Sequence, residues 1–296
     1  RLVEQGGLAG LGHVAEPLLI ADTPSAADQA DERAALQRHL QARGYAQARV
    51  HQDLPRQYRI EYGHADQPLV SIIIPTRDQL PLLQRCVESL LEKTAYPNYE
   101  LLIVDNQSET EEARQWLAGV AGMGDERARV LRYPHPFNFS AMNNLAAEQA
   151  RGDYLVLLNN DTAIIEPGWL DALLNHAQRP EVGAVGAKLL HPDGTVQHAG
   201  VVLGLRGPAE HPFLGEAIDA HGTMQRLRVD QNYSALTAAC LMVRKSLYQE
   251  VGGLDEGDFK VSYNDVDLCL KLGVAGYLNV WTPQALVMHE GSASQK

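Results

Sequence analysis

Apolar residues along this chain fall into two patterns: short runs that stop on polar residues, and longer stretches in which they recur every three or four positions. Val70 to Ile74 (VSIII), Leu101 to Val104 (LLIV) and Tyr154 to Leu158 (YLVLL) are of the first kind and read as buried strands. Between the first two, Leu82, Leu83, Cys86, Val87, Leu90 and Leu91 lie at spacings of three and four and predict an amphipathic helix. Strand, helix and strand in that order make a βαβ unit, whose crossover favours parallel strands.

From Pro68 onward the pattern predicts strand 69–74, helix 79–93, strand 99–104, helix 109–118, strand 128–132, helix 139–150 and strand 153–158. This alternation is that of a doubly wound α/β layer. A helix near 168–178 then leads to strand 183–189, a turn at Pro192, Asp193 and Gly194, and strand 195–203, read together as a hairpin. The stretch 205–231, rich in Gly, His and Pro, shows no period and is expected to be a mobile lid or a loop that varies with the ligand. Strand 235–243, helix 246–251, helix 264–273 and strands near 277–281 and 285–289 complete the pattern.

Residues 1–67 differ from the remainder. AADQADERAALQRHLQARG predicts an exposed helix whose Ala34, Ala35, Leu36 and Leu40 form only a thin apolar stripe, so it is expected to pack on the main domain. The chain is therefore divided into an appendage, 1–67, and an α/β domain, 68–296.

Three predicted strands end in turns that carry an acid: Pro75, Thr76, Arg77 and Asp78; Asp105 and Asn106; Asn159, Asn160 and Asp161. Open α/β sheets bind ligands beyond the carboxyl ends of their strands, which is where these acids fall. Each turn also has a structural account, since Pro75 ends a strand, Asp78 can cap a helix and Asn106 can turn the chain.

Composition narrows the chemistry. The chain has 296 residues, 45% of them hydrophobic, enough for one sizeable domain and an appendage. Its 37 acidic and 25 basic residues give a net charge of −12, which argues against coating nucleic acid or docking on anionic lipid by charge. A cation is then needed if phosphates are to bind. No apolar run approaches the roughly 20 residues of a membrane span, no secretory signal is legible, and a cytoplasmic location is expected. Cys86, Cys240 and Cys269 are odd in number, lack a CxxC pair and sit in apolar segments, which predicts buried thiols.

IPTRD (74–78), IVDN (103–106), FNFSAMNNLAAEQARGDYLVLLNNDT (137–162), TAACLMVRKSLYQEVGGLDE (237–256) and YNDVDLCLKL (263–272) together resemble family 2 glycosyltransferases across residues 68–291. The likeness is to the bacterial rhamnosyltransferase-like branch that builds surface polysaccharides. It implies a GT-A fold, with a Rossmann-like nucleotide-binding layer and a mixed central sheet. It also implies a nucleotide-diphosphate sugar donor, a glycan or lipid-linked glycan acceptor, a divalent metal (Mn²⁺ or Mg²⁺) and inversion of the anomeric centre. With such an acceptor, the inner face of the membrane is the expected place of work. LGHVAEPLLI (11–20) resembles the closing strand of a preceding module, so neighbouring modules in a longer polypeptide are expected.

The resemblance also implies roles. Asp161 and His289 correspond to metal ligands, with Asn159 standing where the family has its first acid and Asn160 beside it. Pro75, Thr76, Asp78, Asp105, Asn144, Asn159 and Asn160 fall on the nucleotide-sugar side. Asp265 matches the catalytic base, with Thr237, Ala238 and Asn264 on the acceptor side. Other readings stay open: Asn264 as a helix cap, Asp265 as an anion favoured by the helix dipole, His289 as an ordinary strand-end histidine. Trp169, Trp281 and Tyr263 are either sugar-stacking surfaces or core. A nucleotidyltransferase would need a Gly-rich phosphate loop, which IPTRD is not. The alternative from another class is a non-catalytic glycan-binding or docking module of a multi-module transferase.

Overall fold

The computed structural model of the chain describes residues 26–54, 57–124, 127–205 and 207–291. LGHVAEPLLI lies outside them. Helix α1 (Ala26–Ala42) and the antiparallel hairpin of β1 (Arg49–Leu54) and β2 (Gln57–Glu61) come first. Then follow β3 (Val70–Thr76), α2 (Leu80–Lys93), β4 (Tyr99–Asp105), α3 (Glu111–Gly122), β5 (Ala128–Arg132), α4 (Phe139–Gln149), β6 (Tyr154–Leu158), β7 (Thr162–Ile164), α5 (Trp169–Ala177) and β8 (Val182–Leu190). The remainder comprises β9 (Val196–His198), β10 (Val202–Leu203), β11 (Ala209–Glu210), β12 (Gln231–Asn232), β13 (Cys240–Arg244), α6 (Lys245–Glu250), α7 (Asn264–Val274) and β14 (Leu278–His289).

One ten-stranded sheet carries the domain, in the order β12-β14-β8-β13-β6-β3-β4-β5, with β7 paired to β14 and β9 to β8. Strands β6, β3, β4 and β5 are mutually parallel, β13 runs antiparallel between β6 and β8, and β14 lies parallel to β8. The sheet is mixed, yet β3, β4, β6, β8 and β14 all present their carboxyl ends at one edge. The amino end of β13 reaches that same edge.

Alternation along the buried strands splits the core in two. Ile72 and Ile74 face one layer with Leu83 and Leu90 of α2, Leu117 of α3 and Trp169 and Leu173 of α5. Ile73 faces the other with Met142 of α4, Leu247 of α6 and Leu268 and Leu272 of α7. Trp169 and Trp281 are fully buried in these layers, so both are core rather than sugar-stacking surfaces. All three cysteines are free and buried, and burial pushes the Cys86 thiol up to about 12.

Two local expectations are corrected. The predicted strand 195–203 is broken: β9 pairs with β8, but β10 pairs with β11 outside the main sheet. The break falls at Gly200, where φ is +95° and a Cβ would meet the Tyr233 ring at 2.2 Å. Gly200→Ala is expected to lower stability by about 2 kcal/mol or more in urea unfolding, since both backbone and packing oppose a side chain there. The stretch 205–231 is anchored to the domain at two points: Leu227 is buried in the core, and Lys188 donates from Nζ to Ile218 O at 2.8 Å. The strand expected over 235–243 begins only at Cys240.

The appendage contains a hairpin that periodicity missed, because β1 and β2 alternate weakly and bury little. Leu40, Ala48, Val50 and Tyr62 form a small core of their own. Docking on α5 runs through Asn175, which accepts from Tyr62 N and donates to Ile60 O, both at 2.8 Å. No helix among the described residues is long and apolar enough to cross a membrane.

Candidate active site

The carboxyl ends of the parallel strands assemble the site. Register places Ile73 opposite Leu157, so the residues following β6 stand level with the end of β3, and Asn160 Nδ2 donates to Thr76 Oγ1 at 3.1 Å. The chain then turns sharply from β6 into β7: Thr162 donates from N and Oγ1 to Asn159 O at 3.3 and 2.8 Å. Because β7 pairs with the end of β14, Thr162 opposite His289, the turn carries Asp161 against that histidine.

Asp161 Oδ1 lies 3.0 Å from His289 Nε2, with both side chains largely buried. Asn159 Nδ2 stands 3.1 Å from the same nitrogen. On its other side the His289 ring meets Gln197, whose Oε1 is 2.5 Å from Nδ1 and whose Nε2 donates to His289 O at 3.0 Å. Glu290 N donates to Asp161 O at 3.1 Å, and Glu290 pairs with Arg85 of α2 at 2.5 Å.

Asp265 lies across the same cleft, in the first turn of α7. Ala238 N donates to its Oδ2 at 3.0 Å and Val266 N to its Oδ1 at 2.9 Å, so the carboxylate is held from two sides. The cap position of α7 belongs to Tyr263, with φ +62° and no side-chain cap bond, rather than to Asn264. Asn264 is instead buried at 3% exposure, lines the cleft, and has no partner for its Nδ2. Asp267 pairs with Lys271 at 2.9 Å one turn along the helix.

Pro75, Thr76, Asn159, Asn160, Asp161, Thr237, Ala238, Asn264, Asp265 and His289 therefore line one cleft of about 460 Å³. Arg77 and Ala239 also line it, and Phe137, Phe139, Val261 and Gln79, none of them expected from the sequence, complete its walls. A larger cavity of about 650 Å³ lies between the appendage hairpin, α5 and the middle of β14, and holds no residue of the strand-end turns. The smaller cleft is the candidate active site because the convergent carboxylates and imidazole are there.

Three residues expected on the nucleotide side stand outside that wall. Asp105 is buried, its Oδ1 accepting from Ser108 N and Oγ at 3.1 and 2.6 Å and its Oδ2 paired with Arg132. Asp78 holds the segment leading into α3 rather than capping the helix that follows it, accepting from Glu109 N and Thr110 N at 2.8 and 2.9 Å. Burial opposes charge on Asp78, yet those amides outweigh it and hold the carboxyl below its ordinary value. Asn144 ties α4 to the 252–256 loop, donating to Leu254 O at 2.8 Å and accepting from Tyr248 OH at 2.5 Å.

Gln197 was also missed, since a polar residue in a short strand carries no signal of its own. So was the pair of His198 and His211, whose Nδ1 atoms lie 2.9 Å apart, burial holding both rings below the ordinary histidine value. Only the return of the chain from β10–β11 brings that pair together.

Comparison with known proteins shows the family and the fold. The family model of glycosyl transferase family 2 matches residues 71–252. The chain belongs to that family, and is a glycosyltransferase domain of GT-A fold. An uncharacterized protein, y4gI, of Sinorhizobium fredii is 48% identical over 89% of this chain and 29% of its own length. The O-antigen biosynthesis protein RfbC of Myxococcus xanthus is 42% identical over 97% of the chain and 23% of its own length. The chain thus spans about a quarter of these two relatives. An N-acetylglucosaminyl-diphospho-decaprenol L-rhamnosyltransferase of Mycobacterium tuberculosis is 29% identical over 76% of the chain and 77% of its own length. Among solved structures, GalNAc-T7 with UDP, GalNAc and Mn²⁺ superposes with a TM-score of 0.63 at 15% identity, covering 76% of this chain and 44% of its own. Mannosyltransferase PcManGT of Pyrobaculum calidifontis, with GDP-Man and Mn²⁺, gives 0.56 at 16% identity, covering 89% and 68%.

Proposed function

We propose that this domain transfers a hexosyl or deoxyhexosyl unit, rhamnosyl being the leading candidate, from a nucleotide diphosphate to a growing surface glycan, with inversion and with a divalent cation. The observation that carries the reading is the convergence of Asp161, His289 and Asp265 on one cleft at the carboxyl edge of a GT-A sheet. The O-antigen and rhamnosyltransferase names of the relatives support the substrate class.

The residues fit a cation. Nδ1 of His289 faces an amide oxygen, so it carries a proton, and Nε2 stands 3.0 Å from a carboxylate oxygen of Asp161. A neutral imidazole nitrogen and a carboxylate oxygen that close are a donor set suited to a cation. Among the described residues no group of three or more His, Cys, Asp or Glu side chains could hold a metal ion. Two protein ligands are what Mg²⁺-type sites use when substrate phosphates and water complete the shell. Asp161 and His289 would hold such a cation, which would supply charge neutralisation at the diphosphate leaving group.

The remaining work falls to the chain's own side chains. Asp265, fixed by Ala238 N and Val266 N, keeps lone pairs free to take the proton of an acceptor hydroxyl as that oxygen attacks the anomeric carbon opposite the phosphate. The unpaired Nδ2 of Asn264 offers a donor to a sugar hydroxyl beside it. The small side chains of Thr237 and Ala238 leave the acceptor room to approach. A lipid-linked glycan would be met at the inner face of the membrane.

The test is donor turnover over a panel of nucleotide sugars with Mn²⁺ or EDTA, alongside melting temperature. One donor should raise the melting temperature and be consumed only with the cation. Absence of stabilisation by any nucleotide diphosphate would leave the domain a non-catalytic module. We assign the appendage, 1–67, to a supporting role. Removing it should leave nucleotide affinity unchanged while lowering the melting temperature, because α5 loses the Asn175 bonds. Loss of affinity in a cooperatively folded truncation would place the appendage in the site.

A further inference from the structure

We propose that Gln197 is a positioning residue that sets the tautomer and the orientation of His289 and so prepares the imidazole as a ligand; this rests on the cation reading above. The amide sits in the middle of β9. Leu189 pairs with His198 and Leu190 with Val196, so the register slips at Gln197 and leaves it no residue opposite. Slips of this kind re-aim a side chain. Here the side chain lies over the end of β14.

Its orientation is determined on chemical grounds. Nε2 stands 3.0 Å from the carbonyl oxygen of His289 and 3.1 Å from Nδ1 of His191. A reversed amide would set its oxygen against that carbonyl, acceptor to acceptor, so the nitrogen belongs there. The oxygen then faces His289 Nδ1 at 2.5 Å and can only accept, which places the ring proton on Nδ1. Nε2 is left facing Asp161 Oδ1 and Asn159 Nδ2, at 3.0 and 3.1 Å, free to act as the ligand atom when the ring is neutral.

Gln197 therefore grips His289 twice, by backbone and by ring. The chain beyond is moulded to it: Gly291 has φ +70°, and a Cβ there would lie 2.8 Å from Gln197 Nε2. Free imidazole exchanges its proton between both nitrogens, and a ligand residue gains affinity when a second group removes that freedom. A merely structural glutamine would hold the end of β14 without needing to choose a tautomer.

The experiment compares Gln197→Met, which fills similar space without an acceptor, and Gln197→Glu, which keeps an acceptor for Nδ1–H but loses both donors. Two quantities are read: Mn²⁺ affinity with a nucleoside diphosphate present, by calorimetry, and the His289 tautomer by ¹⁵N NMR without metal, with the ring neutral. Gln197→Met is expected to weaken Mn²⁺ binding by about 10- to 100-fold and to move the proton from Nδ1 to Nε2. Gln197→Glu should retain the Nδ1–H form and most of the affinity. An unchanged tautomer and affinity in Gln197→Met would overturn the proposal, as would an Nε2–H ring in Gln197→Glu should the Met variant not fold. Wild-type protein that binds no Mn²⁺ would overturn the cation reading, while the tautomer comparison would still decide the role of Gln197.

Discussion

Asp265→Asn is expected to lower the transfer rate by about 10²-fold or more, the usual effect of losing a positioned base, with donor affinity unchanged. The structure adds a second consequence. Both carboxylate oxygens accept backbone N–H groups, from Ala238 and Val266, and an amide can satisfy only one. The variant should therefore also lose about 1 kcal/mol of stability, the ordinary cost of one hydrogen bond. Asp267→Asn, which disturbs the pair with Lys271, should affect the rate far less. The assay is donor consumption with a glycan acceptor, donor affinity being measured separately for each variant. Unchanged turnover in Asp265→Asn would remove it as the base, and lost donor affinity would move it to the nucleotide side.

Asp161→Ala should have its effect earlier, at binding. Wild-type affinity for a nucleotide diphosphate is expected to rise steeply when Mn²⁺ is added, and the variant should forfeit about 10²-fold of that affinity or more, since even outer-shell losses cost 10- to 100-fold. Folding should survive, because Asp161 holds the turn to Glu290 through its backbone oxygen rather than its carboxylate. Calorimetry with Mn²⁺ and with EDTA reads the effect. Equal affinity in all four combinations of protein and additive would dismiss the cation reading.

Much of this arrangement was legible in the sequence, for identifiable reasons. Strands buried on both faces must be unbroken apolar runs, so β3, β4 and β6 were plain in VSIII, LLIV and YLVLL. The spacing of Leu83, Cys86, Val87 and Leu90 gave α2, because a helix buries one stripe. The turns after β3 and β6 carried Thr76 and Asp161, and both do line the cleft. The appendage hairpin and the break at Gly200 were not legible, since neither depends on periodicity. The first buries too little, and the second is imposed by the Tyr233 ring from 33 residues along the chain.

The sequence by itself determined the layers, the parallel order of the nucleotide-binding half and the edge at which acids would gather, because these follow from local burial patterns and from the right-handed crossover. Only the tertiary structure decided which polar side chains face the cleft. Asp78, Asp105 and Asn144 have the same chemistry as residues that do face it, but Thr110, Ser108, Arg132 and Tyr248 claim them. Asp161, His289 and Gln197 come from three separate segments, and they meet because β7 pairs with the end of β14 while β9 folds back on β8, the strand beside β14. Hydrogen-bond partners of this kind are fixed by register between distant strands, a property of the assembled sheet that no local stretch of chain contains.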